Sequence, residues 1–368
     1  MKILIVQDYL RSGGTERQSV LLANAFCAAG HRTTLLTFRP SGPLLPTLAP
    51  SVQHQALQSY DLRLDWFAPG LFNAIETISP DLILCMGRMA NCYGFALRHL
   101  VQDRWPDTAV IATMRTGKAL PYFFRRSLRA ATHIVANSYE ARTTLSDRYE
   151  ISSEKISVIH NSLVFPAPAA AGSSTILRAQ HGATATTKIL LNVAMFRPEK
   201  NQRELIHLAA GLPPDVDWQL WLAGEGPARA ACAQLATELG LSKRVRFLGF
   251  QRDPAPLYAA ADIAVHASAS ESLSNFLIEA QAHGLPAVAY AAQGIGECFI
   301  PGRTGWVIPR NDRAAFHAAL TALFQRSDSS RAELASTARD YARTTFDPDR
   351  QVKAYLELFD RLQPRAQR

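Results

Sequence analysis

Short, almost wholly apolar runs alternate along this chain with longer stretches whose apolar residues recur every three to four positions. The run KILIV at residues 2–6 leads into a Gly-Gly turn and the amphipathic stretch TERQSVLLANAFCAAG. RTTLLTF, DLILCM, AVIATM and HIVANS follow, with helical stretches between the last three. Uniformly apolar runs of this length predict strands buried on both faces. Their alternation with helices predicts a parallel sheet covered on both sides. Near Asn161 the rhythm stops at NSLVFPAPAAAGSS, whose Pro, Ala, Gly and Ser content predicts a linker. It restarts with KILLNVAM, DWQLWLAG, RVRFLGF, DIAVHAS and PAVAY, and from about Asp312 the chain reads as helical. The expected fold is α/β, with two Rossmann-like, doubly wound domains. A ligand cleft is expected between them, because each sheet offers the loops at the carboxyl ends of its strands. The expected divisions are a first domain over residues 1–163, a linker over 164–187 and a second domain over 188–345. A C-terminal helical segment over 346–368 has the first domain to pack back on.

Length agrees with two domains, since 368 residues exceed what one hydrophobic core usually organises. Hydrophobic content of 48% and charged content of 19% exclude disordered and fibrous classes. The formal charge of +8 favours an anionic partner: nucleic acid, a phosphorylated small molecule or an acidic membrane surface. The basic residues are dispersed and carry no nucleic-acid recognition motif, so nucleic acid is not expected. Five cysteines, Cys27, Cys85, Cys92, Cys232 and Cys298, stand without CxxC spacing, which argues against a disulfide framework or zinc site and for a reducing compartment. The opening apolar run is too short for a signal-peptide core, and no apolar stretch approaches the ~18 residues of a spanning helix. The expected location is cytoplasmic, with the inner face of the cytoplasmic membrane open as a peripheral site.

Four segments carry candidate chemistry. RSGGTER, residues 11–17, lies between the first strand and a helix. Its glycines allow close backbone approach to an anion at the free N–H groups of the helix end. It is not GxGxxG, and a plain tight turn explains it equally well. FRPEKNQ, residues 196–202, sets Arg197 and Lys200 around a helix start, where cations are poor dipole partners unless a phosphate lies between; a solvated basic pair is the other reading. In SESLSNFLIEAQAHGLP, residues 270–286, Glu271 and Glu279 are eight positions apart and Ser274 is placed to cap the helix. The amides of Leu273, Ser274 and Asn275 would then point out of its end. Carboxylates accept from sugar hydroxyls and amides donate to phosphate, so the set suits a polyhydroxylated anion; a surface glutamate beside a capped helix would read the same way. Finally, LPYFFRRSLRAA sets Tyr122, Phe123 and Phe124 beside Arg125, Arg126 and Arg129. That fits either a helix lying on an anionic membrane surface or an amphipathic helix with core aromatics.

In order and spacing these segments resemble glycosyltransferase family 4, the large retaining group of GT-B fold. The most specific match is the Glu-x7-Glu element ESLSNFLIE followed by AQAHGLPAVA. SGGTERQ, FRPEKN, LAGEGP, VRFLGF, AADIAVHAS and GRTGWVIP support it, over nearly the whole chain. The resemblance implies a glycosyltransferase moving a sugar from a UDP- or GDP-sugar to a glycan or lipid-linked acceptor in cell-surface polysaccharide or lipopolysaccharide synthesis. It implies that Gly13 and Gly14 pack against donor phosphate and sugar, and that Lys200, helped by Arg197, neutralises the diphosphate leaving group. Glu271 would hold hydroxyls of the transferred sugar and Glu279 the ribose. Gly224 and Gly226 would line the nucleotide pocket and Phe250 would cover the base. Variable loops over residues 38–58 and 88–120 would receive the acceptor.

Two positions depart from the family pattern. Met195 stands where a basic residue is common. No histidine follows AVIAT, where the chain reads Met114-Arg115-Thr116-Gly117-Lys118, and His133 lies in a strand run and reads as core. The family's mechanism is retention through a front-face displacement, with cations and amides meeting the leaving-group charge. No cofactor and no catalytic metal are expected, because the lone Asp-x-Asp, Asp347-Pro348-Asp349, precedes the last helical segment and reads as capping. A nucleotide-sugar epimerase of similar shape and a catalytically inactive nucleotide-sugar binder are the alternatives.

Overall fold

A computed structural model describes residues 1–165 and 172–363. The chain divides into two compact units: residues 1–162 together with the last helix, and residues 163–347.

The first unit is built on seven parallel strands: β1 (Lys2–Gln7), β2 (Arg32–Thr37), β3 (Gln53–Ala56), β4 (Leu82–Cys85), β5 (Ala109–Met114), β6 (His133–Ala136) and β7 (Ile156–Val158). They lie in the order β3-β2-β1-β4-β5-β6-β7. Between them run α1 (Gly14–Ala28), α2 (Leu71–Ile78), α3 (Arg88–Arg104), α4 (Tyr122–Ala130) and α5 (Tyr139–Tyr149). Strand periodicity explains the two-faced core: Ile3 and Ile5 of β1 pack with Phe26 on one side, and Leu4 and Val6 pack with Phe38 and Leu97 on the other.

The second unit repeats the plan. Its strands β8 (Lys188–Val193), β9 (Trp218–Ala223), β10 (Val245–Gly249), β11 (Ile263–His266), β12 (Ala287–Tyr290) and β13 (Gly305–Ile308) lie in the order β10-β9-β8-β11-β12-β13. Its helices are α6 (Ser173–Gln180), α7 (Gln202–Ala210), α8 (Arg229–Glu238), α9 (Ala255–Ala260), α10 (Asn275–Ala282), α11 (Arg313–Phe324) and α12 (Asp328–Thr345). Ile189 and Leu191 face one core and Leu190 the other. In both sheets the winding reverses between the first and fourth strands, β1/β4 and β8/β11, and loops leaving that point at the carboxyl ends are where such sheets bind ligands.

The last helix, α13 (Pro348–Leu362), belongs to the first unit, where Tyr355, Leu358 and Phe359 pack around Phe26. Arg115 at the end of β5 donates to the Tyr355 hydroxyl at 2.7 Å and to Asn161 Oδ1 at 2.5 Å. The linker expected over 164–187 is partly folded. Within it, α6 is tied to the second unit by Arg178, which pairs with Asp262 at 2.6 Å and donates to the Ala260 carbonyl at 2.9 Å. Residues 166–171 of that linker, and 364–368 at the end of the chain, lie outside the described residues. Asp347 directly precedes α13 and Asp349 lies in its first turn, where a carboxylate suits the helix dipole.

Candidate functional site

The loops leaving β8 and β11 meet at the switch point of the second sheet. After β8 the backbone keeps pairing with the exit of β9: Ala194 N–H donates to Ala223 and Phe196 N–H to Glu225, both at 2.9 Å. Gly224 and Gly226 make this close approach possible. Both sit at positive φ, and a Cβ on either would run into the carbonyl of Ala194 or Phe196. Their visible work is thus to set the path of residues 194–197. A 3-10 turn, Pro198–Lys200, then gives way to α7 through Asn201 in the left-handed conformation. The Glu199 carbonyl accepts from Ala269 N–H at 2.7 Å and from Ser268 Oγ at 3.0 Å, which stitches this loop to the one after β11.

That stitching brings Lys200 onto Glu271. Lys200 Nζ donates to Glu271 Oε1 at 2.6 Å, and His266 Nε2 reaches the same oxygen at 3.1 Å. The Glu271 side chain is 9% exposed. Burial pushes its carboxyl up, but the Lys200 charge and the His266 hydrogen bond outweigh burial and hold it down at about 2. Glu271 is therefore an anion at any physiological pH, with Oε2 making no hydrogen bond among the described residues. Arg197 is half-buried and its guanidinium has no hydrogen bond or ion pair among the described residues.

Glu271 is followed by the start of α10, where Ser274 caps the helix by accepting from Leu277 N–H at 3.4 Å. The amides of Leu273 and Ser274 donate to nothing within the described residues, the unsatisfied first donors a helix leaves. This backbone is buttressed by Gly294 (φ 73°), where a Cβ would fall on the Ser272 carbonyl. Glu279 lies on α10 and accepts from the Tyr258 hydroxyl at 2.7 Å; Tyr258 in turn stacks on His283 with ring centroids 4.8 Å apart. Phe250, just past β10, is 53% exposed. An oriented anion, a mobile cation and free amides at one strand-end edge can hold a polyhydroxylated group beside an anionic one.

Sequence reasoning missed His266, which hides in the apolar run DIAVHAS. What exposes it is distance to Glu271, five residues on, and the loop folding back is what creates that contact.

In the first unit Gly13 is the N-cap of α1 and Gly14 its first residue. A Cβ on Gly13 would press on the carboxylate of Glu16, the third helical residue, so packing at the helix start already explains this glycine. The membrane segment divides. Tyr122 and Phe123 are exposed at 59% and 60%, but Phe124 is core, packed with Met114, Leu128 and Ile134, and is no surface residue. Arg125 and Arg129 are exposed, while Arg126 lies over the Phe95 ring at 3.8 Å. His133 is buried, and burial, first, with Arg361 and Lys155 nearby, lowers it to about 4. The cysteines are all free. Among the described residues no three His, Cys, Asp or Glu side chains assemble into a metal-holding group, and no helix is long and apolar enough to cross a membrane.

Comparison with known proteins bears on both units. Residues 12–163 match the model for Glycosyltransferase Family 4, and residues 173–343 the one for Glycosyl transferases group 1. The chain is similar to the lipopolysaccharide core biosynthesis glycosyltransferase LpsE of Rhizobium meliloti, 32% identical over 181 residues, 49% of this chain and 52% of that protein. N-acetyl-alpha-D-glucosaminyl L-malate synthase of Bacillus anthracis is 33% identical over 138 residues, 38% of this chain and 36% of that protein. The chain thus spans about half, or less, of the length of these relatives. Among solved structures, Anabaena Alr3699/HepE in complex with UDP superposes with a TM-score of 0.82 at 23% identity, covering 98% of this chain and 100% of that one. WaaG, a glycosyltransferase involved in lipopolysaccharide biosynthesis, superposes with a TM-score of 0.75 at 18% identity, covering 96% and 99%. With one family model matched in each unit and this two-sheet architecture shared at nearly full length, the chain belongs to the family-4 type of glycosyltransferases with the GT-B fold.

Proposed function

We propose that the protein is a retaining glycosyltransferase that moves a sugar from a nucleoside-diphosphate sugar to a glycan or lipid-linked acceptor in lipopolysaccharide or polysaccharide assembly. The observation that carries this reading is the Lys200–Glu271 pair beside the free amides of Leu273 and Ser274. Glu271 Oε2 accepts hydroxyls of the transferred sugar. Lys200 and Arg197 face the diphosphate, with the α10 amides donating to its oxygens. Glu279 holds the ribose and Phe250 covers the base. As the bond from the anomeric carbon to the diphosphate oxygen breaks, its electron pair goes to phosphate, and fixed donors meet that charge as it grows. The acceptor hydroxyl attacks from the same face and gives its proton to the departing phosphate, which retains configuration. UDP is the favoured nucleotide, since Anabaena HepE was solved with UDP and with UDP-glucose. Lys200 and the helix end take the place a metal would fill, so no metal is required. The lipopolysaccharide and polysaccharide proteins among the relatives support the acceptor class.

A thermal-shift panel of UDP- and GDP-sugars tests the reading. The cognate donor at 100 times its dissociation constant adds about 2.7 kcal/mol of stability. Slow release of free sugar from that donor then separates an enzyme from an inactive binder. Turnover in excess EDTA should equal turnover without it; loss restored by magnesium or manganese would overturn the metal-free mechanism.

A further inference from the structure

We infer that His266 is a positioning residue for Glu271, one that keeps this carboxylate fixed when Lys200 is drawn onto the diphosphate. The inference rests on the proposed nucleotide-sugar reaction and deepens it. Three observations carry it. First, Lys200 Nζ and His266 Nε2 share one oxygen, Oε1, at 2.6 and 3.1 Å, while Oε2 has no hydrogen-bond partner among the described residues. Second, the two donors differ in freedom. Lys200 is an ammonium on a flexible stem, 28% exposed, whereas the His266 side chain is 3% exposed. The imidazole lies almost parallel to the Phe276 ring, 14° between planes and 6.2 Å between centroids. Third, Ser268 N–H donates to His266 Nδ1 at 3.4 Å, which makes Nδ1 the acceptor and leaves the proton of the neutral ring on Nε2, aimed at Glu271.

One ammonium cannot stay 2.6 Å from Glu271 and also follow the charge that develops on a leaving diphosphate. When Lys200 shifts, a carboxylate buried like Glu271 would be left without a donor and would turn or take up a proton. The His266 N–H prevents both, so Oε2 stays where a sugar hydroxyl needs it. A neutral donor also leaves the cationic field of Lys200 and Arg197 for the phosphates alone.

His266→Leu removes the N–H and keeps apolar bulk against Phe276; His266→Gln restores an N–H at similar reach. Each is compared with wild type using UDP and UDP-glucose, and GDP and GDP-mannose. In the Leu variant turnover should fall by about 10- to 100-fold, the scale of misplacing a reacting group by roughly 1 Å. Its affinity for the free nucleoside diphosphate should stay within about threefold of wild type, while the extra affinity for the sugar nucleotide disappears; the Gln variant should recover most of both. Equal loss of nucleotide and sugar-nucleotide affinity, no rescue by Gln, or an unaffected Leu variant would overturn the positioning role and leave the donor site standing. A wild type that binds none of the four ligands would overturn both. A measurement without ligand adds an independent arm: long-range imidazole 1H–15N correlation should show His266 protonated at Nε2 and shifted by Glu271→Gln. A ring protonated at Nδ1 would overturn the geometry.

Discussion

At Glu271 burial and pairing pull in opposite directions, and pairing wins by holding the carboxyl at about 2 despite near-complete desolvation. Lys200 is the largest influence on the winning side, so Lys200→Ala should raise the Glu271 pKa toward the ordinary carboxylate range. It should also slow sugar transfer by about a hundredfold or more, the scale of losing one fixed stabiliser of transition-state charge. Steady-state rates on variant protein shown to be folded decide this, and a rate within about threefold of wild type would move the diphosphate site elsewhere. Glu271→Gln and Glu279→Gln should differ in kind. A carboxylate on the reacting sugar acts differentially along the reaction and should lower kcat, whereas one on ribose is equally engaged throughout and should raise donor KM. Identical kinetic defects would sink that division. Lys200, Glu271 and Glu279 were legible because a spaced motif fixes them in sequence. His266 was not, since a histidine inside an apolar strand run reads as core until the loop after it is seen to fold back. Gly13, Gly224 and Gly226 were legible as close-approach glycines, but what each approaches is this protein's own backbone or side chain.

Between residues and units, the loops after β8 and β11 act as one element, joined through the Glu199 carbonyl and backed by Gly294. Gly294→Ala places a methyl on the Ser272 carbonyl at a positive φ that alone costs a side-chain-bearing residue about 1–2 kcal/mol. Strain of that size lowers Tm by roughly 2–8 °C in a domain of this length. Displacement of the Leu273 amide should also weaken nucleoside-diphosphate binding. Calorimetry with and without UDP checks both, and an unchanged Tm with unchanged affinity would mean the loop yields freely. At this scale the sequence reveals the interior of each sheet and loses its edges. The apolar runs located β1, β2, β4, β5 and β6, and then β8 to β12. The strands they missed, β3, β7 and β13, all lie at sheet edges. An edge strand is covered less and needs no continuous apolar run: β3 reads QHQA and β7 only ISV. The expected linker failed for a related reason. Ala, Gly and Ser composition marks a weak pattern, yet Arg178 pins α6 to the second unit through one ion pair and backbone carbonyls.

For the molecule as a whole, the charge of +8 asks for an anionic surface or ligand, and no described helix can cross a membrane. The exposed end of α4 offers a peripheral alternative that can be tested against the fold itself. Tyr122 and Phe123 stand in solvent beside Arg125 and Arg129, whereas Phe124 is 1% exposed in the core. The protein should therefore sediment with vesicles containing anionic lipid and not with neutral ones. Each arginine close to such a surface contributes about 1 kcal/mol, and rising salt should release the protein by screening it. Replacing Arg125, Arg126 and Arg129 with Ser should abolish sedimentation and spare nucleotide-sugar binding. Tyr122→Ser and Phe123→Ser should weaken sedimentation at nearly unchanged Tm, because neither ring is buried. Phe124→Ser should do the reverse and cost about 3–5 kcal/mol of stability, as emptying a core phenylalanine site does. If wild type ignores anionic vesicles at low salt, the outward aromatics have another use and the acceptor must reach the enzyme from solution.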